Sequence, residues 1–150
     1  MNILIAGIPS ADLLSHVSDR YGEDVKLFVS ESRPFEGHVA REIAAATEAG
    51  YSITLCTDNM IGSLMKECDI GAVWSLYSKA ESGLFTAING ARMSAILAKG
   101  HGVPFILYHR ESFPHVENGY FAGTDVTVEG AGYIEQTLDT VGADLVAEVV

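Results

Sequence analysis

The sequence predicts a doubly wound α/β domain, a mainly parallel sheet with helices on both faces, and three observations predict it. Short apolar runs alternate with amphipathic stretches at helical spacing along most of the chain. The runs are continuously apolar, as in strands covered on both faces, rather than alternating apolar and polar. The chain has 150 residues, 48% of them hydrophobic, and a mean hydropathy of +0.21, enough to bury one substantial core.

The elements follow in order. Asn2–Ala6 reads as the first strand. Gly7-Ile8-Pro9-Ser10 reads as a turn, with Ser10 at an N-cap position. Leu13, Leu14, Val17 and Tyr21 recur at helical spacing. Val25–Val29 is the second strand. Val39, Ile43 and Ala46 form the apolar face of a second helix, which Gly50 stops. Ser52–Cys56 is the third strand. Ile61, Leu64, Met65 and Cys68 mark the next helix, and Asp58 is expected to cap it. Ile70–Leu76 is the fourth strand and Tyr77–Gly83 a polar loop. Leu84–Lys99 reads as helix, with Ile88, Ala91, Ala95 and Ala98 on one face and Gly100 at its end. Within it, Asn89-Gly90 is an unfavourable pair that marks close packing or a contact. Pro104–Tyr108 is the fifth strand. Beyond it, Phe121–Val128 is expected to hold a short strand, Ile134, Leu138 and Val141 to mark a helix, and Ala143–Val150 to form a closing strand or tail. No repeat, linker or low-complexity segment interrupts the pattern, so residues 1–150 are read as one domain.

Charge and composition exclude several classes of function. The formal net charge is −11, with nine scattered Lys and Arg, so a nucleic-acid surface is not expected. No stretch approaches the ~20 apolar residues that span a bilayer, and no membrane partner is expected. The first residues lack a basic region and run straight into a strand, unlike a signal peptide. Cys56 and Cys68 lie in apolar segments without C-x-x-C spacing, which fits reduced thiols in the cytoplasm. The five histidines show no H-E-x-x-H spacing, so no metal is expected. Gly7-Ile8-Pro9-Ser10 is not G-x-G-x-x-G, so no dinucleotide cofactor is expected and no cofactor is assigned.

In a doubly wound sheet, ligands bind outside the carboxyl ends of the strands, near the point where strand order reverses. That point falls between the first and fourth strands. The residues there are Gly7, Pro9 and Ser10 after the first strand, Arg33 after the second, and Asp58 and Asn59 after the third. Lys79 and Asn89 follow the fourth, and His109 and Arg110 the fifth. Cations beside helix N-termini favour an anion, so a small phosphorylated or carboxylated metabolite is the expected ligand. Structural readings stand beside these. Asp58 serves equally as a helix cap, Arg33 as a surface partner of Glu31 or Glu36, and Cys56 as core. Among the histidines only His109 is placed as an acid or base.

The words Ser-Glu-Ser-Arg-Pro at Ser30–Pro34, Gly37, Thr-Asp-Asn-Met at Thr57–Met60 with Gly62, and Ala98–Phe105 resemble the C-terminal domain of one family. It comprises the α, β and δ subunits of translation initiation factor 2B, methylthioribose-1-phosphate isomerase and ribose-1,5-bisphosphate isomerase. The resemblance runs from about residue 3 to residue 113, and Glu111-Ser112-Phe113 is similar to the initiation-factor branch.

The resemblance implies a Rossmann-like domain preceded by a helical domain. This sequence starts at the first strand, so the helical domain is expected to be missing. The family's isomerases place a Cys just after the first strand, where Gly7 stands here. They place an Asp after the fourth strand, where Ser75–Lys79 holds no carboxylate. They place an Asn-Lys pair, where phosphate binds, at the start of the next helix, and the match here is Asn89-Gly90. The expectation is therefore a non-catalytic relative that binds a small phosphorylated metabolite or associates with itself or a related subunit, with a homodimer implied by the resemblance. Two alternatives stay open. One is an aldose–ketose isomerase with a rearranged site built on Ser78, Lys79, His109 and Glu111. The other is a purely structural dimerisation module.

Overall fold

A computed structural model describes residues 1–33, 35–111, 113, 120–121 and 135–150. The first half is a regular alternation: β1 (Asn2–Ile5), α1 (Ala11–Tyr21), β2 (Lys26–Ser30), α2 (Glu36–Glu48), β3 (Ile53–Cys56), a 3-10 turn at Asp58–Met60 and α3 (Ile61–Glu67). The second half is β4 (Ile70–Glu81), β5 (Leu84–Ile88), α4 (Ala91–His101), β6 (Phe105–His109), β7 (Tyr120–Phe121), β8 (Glu135–Gln136), β9 (Leu138–Gly142) and β10 (Glu148–Val149).

The main sheet has eight strands among the described residues; β10-β6-β4-β1-β2-β3 run parallel in that order, and β5 and β9 extend it antiparallel from β4. Strand order reverses between β1 and β4, as the doubly wound reading requires. Successive side chains of β1 point to opposite faces. Ile3 and Ile5 pack with Leu13, Leu14 and Val17 of α1 and Val39 of α2. Leu4 and Ala6 pack with Ile61 and Leu64 of α3 and Ala91, Ala95 and Ala98 of α4. A continuously apolar strand is thus what a two-faced core demands, and each fully buried Ile or Leu contributes about 1.5–3 kcal/mol. Gly50 stops α2 with a φ of 96°, the conformation in which a Cβ is penalised.

Three expectations are corrected. Tyr77–Gly83 is not a loop. β4 continues to Glu81 and turns at Ser82-Gly83, whose φ values of 53° and 77° suit a two-residue hairpin turn. Leu84–Ile88 is therefore strand, not helix. β5 pairs antiparallel with β4 on one side and β9 on the other. Ile88 shares helical spacing with Ala91 by coincidence, while Ala91, Ala95 and Ala98 do form the buried face of α4. Asn89-Gly90 is the bend before that helix, with Gly90 at φ 95°, and α4 runs through Gly100 to end at Gly102, φ 69°.

Near the C-terminus, Leu138 and Val141 lie on β9 rather than on a helix, because β5 offers an open edge and Val141 is buried opposite Phe85. Phe121 ends a two-residue strand paired with β8, and residues 122–134, including Ile134 and the rest of the expected Phe121–Val128 strand, lie outside the described residues. The closing strand is present as β10, parallel to β6. Among the described residues no helix is long and apolar enough to cross a membrane.

Candidate functional site

The carboxyl ends of β1, β2, β3, β4 and β6 form one rim. On the β2–β3 side, the chain after β2 turns at Ser32, which adopts φ 52° and is buried. Its hydroxyl lies 2.8 Å from that of Ser30. The Asp58 carboxylate holds this turn. Oδ1 accepts the Ser32 N–H at 2.8 Å and Oδ2 accepts the Arg33 N–H at 2.9 Å. Asp58 thus caps the neighbouring loop, and no side-chain bond caps its own helix. Charge-assisted bonds to two backbone amides outcompete the helix N-terminus because both are made by one carboxylate at once. Arg33 is exposed, with Nη2 3.5 Å from Glu36 Oε1, the surface pairing anticipated. Asn59 accepts the Thr57 hydroxyl at 2.6 Å.

At the centre, Gly7 has φ 134°, where a side chain is strained. An added Cβ would lie 3.6 Å from Ser75 Oγ and 3.8 Å from Ile88 Cδ1. Ser75 is fully buried, and its hydroxyl donates to the Ala6 carbonyl at 2.6 Å. Ser75 ties the end of β1 to β4 and was visible only as one polar residue in an apolar run. Ser10 is buried at the start of α1 without a side-chain cap bond. Pro9 packs at a small apolar cavity of about 80 Å³ with Leu14, Ala46 and Tyr51.

On the β4–β6 side, the Arg110 N–H donates to the Tyr77 carbonyl at 2.8 Å. Its Nη1 is buried and meets no hydrogen-bond partner among the described residues. His109 is exposed, and its ring lies tilted against the Tyr77 ring, with centroids 5.2 Å apart. Ser78 stands in a bulge where the β4–β5 register shifts between Tyr77 and Lys79. Lys79 is not at the rim. It lies on the exposed hairpin arm, 2.6 Å from Glu81, because β4 continues beyond its pairing with β6 and pairs there with β5. Glu111 is exposed. Asn89 donates its backbone N–H to the Thr137 carbonyl at 3.0 Å. The start of α4 already faces a carboxylate, since Asp139 Oδ2 accepts the Arg92 N–H at 3.2 Å.

Three groupings result: Ser32, Arg33 and Asp58; Gly7 with Ser75 and Ile88; and Tyr77 with His109 and Arg110. Cys56 closes β3 from inside, donating to the Val29 carbonyl at 3.3 Å. Burial, with help from Asp58 and Glu31, pushes its thiol up to about 11, so it is protonated and inert, as a core residue should be. Among the described residues no cluster of His, Cys, Asp and Glu could hold a metal ion. A cavity of about 400 Å³ lies at the opposite ends of the strands, by Ser18, Glu23 and Tyr51, away from every rim residue.

Known proteins align with this architecture. Methylthioribose-1-phosphate isomerase of Petrotoga mobilis is 34% identical over 85 residues, covering 56% of this chain and 24% of the relative. The Thermosipho melanesiensis enzyme of the same name is 26% identical over 146 residues, covering 86% of this chain and 42% of the relative. The chain thus spans well under half the length of these curated relatives. Among solved structures, the translation initiation factor eIF-2B subunit delta from A. fulgidus superposes with a TM-score of 0.80 at 15% identity, over 99% of this chain and 51% of the other. The 5-methylthioribose 1-phosphate isomerase of Pyrococcus horikoshii OT3 gives 0.76 at 16% identity, over 99% and 49%. These two show the shared fold. The model of the initiation factor 2 subunit family matches residues 5–109, the span that holds the rim from β1 to the end of β6, and the chain belongs to that family.

Proposed function

We propose that the chain is a non-catalytic member of this family that holds a small phosphorylated metabolite at the rim, with Arg110 as the cationic anchor. The observation that carries binding is Nη1 of Arg110, buried and without a hydrogen-bond partner among the described residues. A buried donor without a partner is costly, and an anionic oxygen would offset that cost. Asp139 at the start of α4 repels a phosphate there, which favours the Arg110 side of the rim.

Loss of catalysis is supported at Gly7. Aldose–ketose isomerisation moves protons between adjacent centres and needs placed acid and base groups. The φ of 134° disfavours any side chain at the position that resembles the isomerases' Cys, and Cys56, with its raised pKa and buried thiol, is no substitute. Self-association, with a copy of itself or a related subunit, and a cytoplasmic location belong to the same proposal.

The second reading is a rearranged sugar-phosphate isomerase, favoured by the named activity of the curated relatives. Ser78 in its bulge, His109, Glu111 and, on the hairpin arm, Lys79 are its acid–base groups. Thermal melts and ketose assays with methylthioribose 1-phosphate and ribose 1,5-bisphosphate separate the two. The proposal expects ligand stabilisation, about 2.7 kcal/mol at 100 times the dissociation constant, lost in Arg110→Met, with no ketose formed. Ketose formation abolished by Lys79→Ala or His109→Ala establishes the isomerase instead. Absence of stabilisation by any sugar phosphate or nucleotide leaves the structural dimerisation module.

A further inference from the structure

We propose that the outer edge of β3 pairs with β3 of a second copy of this chain, antiparallel about a two-fold axis at Thr54. It stands apart from the metabolite reading and gives the self-association reading one specific surface.

The backbone geometry comes first. The carbonyls of Ser52 and Cys56 accept the N–H groups of Leu27 and Glu31, at 3.3 and 2.8 Å. Strand periodicity of two then turns the N–H and C=O of Ile53 and Leu55 outward. β3 ends the strand order, so among the described residues no strand pairs with those four groups. Two copies in antiparallel register set Ile53 opposite Leu55 of the second copy and Leu55 opposite Ile53. Each such pair exchanges two N–H···O=C bonds, and Thr54 faces its own copy at a non-hydrogen-bonded position. One strand therefore satisfies its own complement, as a two-fold contact requires.

Charge selects the same surface. A chain of net charge −11 repels its copies, and association is cheapest through an uncharged strip. Tyr51–Thr57 carries no charged residue. Asp58, the next residue, keeps its carboxylate on the Ser32 and Arg33 amides. In this register it is level with Gly50 of the second copy, so no carboxylate faces another along the strand. Leu55 is 55% exposed, and pairing covers it.

The opposite edge makes the contrast. β10 is two residues long, and Glu148 lies in a two-pronged pair with Arg20 at 2.8 and 2.7 Å. Shortness and charge are how proteins blunt an edge, as are Pro, Lys and bulges. β3 has none of these devices. A single strand pair is a small contact, so the dimer belongs to the weak, concentration-dependent class.

The test uses the whole chain in a Cys68→Ser background, with Cys56 retained because its thiol is buried. Sedimentation velocity over rising concentration is expected to pass from monomer to dimer. Thr54→Cys is expected to form a disulfide dimer much faster than Ser15→Cys on exposed α1, because facing residues at a non-hydrogen-bonded position lie within disulfide reach. Leu55→Lys, at an exposed position, is expected to keep the fold by circular dichroism and to abolish both signals. A monomer at every concentration, with Thr54→Cys no faster than Ser15→Cys, overturns the proposal. So does a dimer that is insensitive to Leu55→Lys and gives no preferential Thr54→Cys bond, an outcome that leaves self-association in place through another surface.

Discussion

The two sides of the rim end their strands in opposite ways. After β2 and β3, a carboxylate gathers two backbone amides, and every named group has a partner: Ser30 with Ser32, Asp58 with Ser32 and Arg33, Asn59 with Thr57. After β4 and β6, the hairpin carries Lys79 away and Arg110 keeps a buried nitrogen unmatched among the described residues. The first side is a finished framework and the second is an open one. The family words Ser30–Pro34 and Thr57–Met60 supply this finished side, so they mark architecture, and the proposed ligand is placed on the other side.

Removing the clamp has the largest expected effect on stability. Asp58→Ala strands the Ser32 and Arg33 amides and should cost about 2–3 kcal/mol in denaturant unfolding, by the usual worth of charge-assisted bonds. Asp58→Asn, which keeps one acceptor, should cost less. If Asp58→Ala melts like the parent, the β2–β3 side is not a framework. Between the two sides, Gly7→Ala forces a side chain into φ 134° and should cost about 1–3 kcal/mol, with no isomerase activity gained by Gly7→Cys.

On the open side the expected stability change is close to nil. Arg110→Met keeps the apolar stem and removes an unmatched donor, so unfolding free energy should stay within about 0.5 kcal/mol of the parent or rise slightly. A marked fall would mean that Arg110 is structural, and the contrast between the sides would fail. The smallest effect belongs to the Arg20–Glu148 pair, outside the rim. The hydrogen bond from Arg20 holds the Glu148 carboxyl below its usual 4.5. A depressed carboxyl contributes stability above its unfolded pKa and loses it as pH falls through the folded one. Unfolding midpoints of parent and Glu148→Gln should therefore converge as pH drops below 4.5, and parallel curves would show the exposed pair to be inert.

What was legible follows from how local each signal is. The strands β1, β2, β3 and β6 and the helices α1, α2 and α3 are each announced by their own apolar spacing, because both faces of a parallel sheet must be buried. The hairpin is not legible because Ser82-Gly83 is a weak turn signal inside a polar stretch, and because Ile88 stands three residues before Ala91. β9 reads as helix from the sequence because the spacing of Leu138 and Val141 is helical and nothing local announces the partner strand β5. At the rim, Arg33 and Asp58 were found by position, but their relation was not: the bond is between a side chain and amides 25 and 26 residues away. Ser75 is marked only as one polar residue in an apolar run, and nothing in the sequence marks the nitrogen of Arg110 that lacks a partner among the described residues.

By itself the sequence determined the family, the doubly wound order of the first half and the rim where strand ends converge, since each depends on residues close together in the chain. Only the tertiary structure decided which of those rim groups are used up. Asp58 holds its neighbour's backbone, Lys79 is carried along the β4–β5 hairpin, Gly7 sits at a φ that strains a side chain, and Arg110 keeps one buried nitrogen without a partner among the described residues. Partnership is a property of distance in space, and hydrogen bonds reach about 3 Å whatever the separation along the chain.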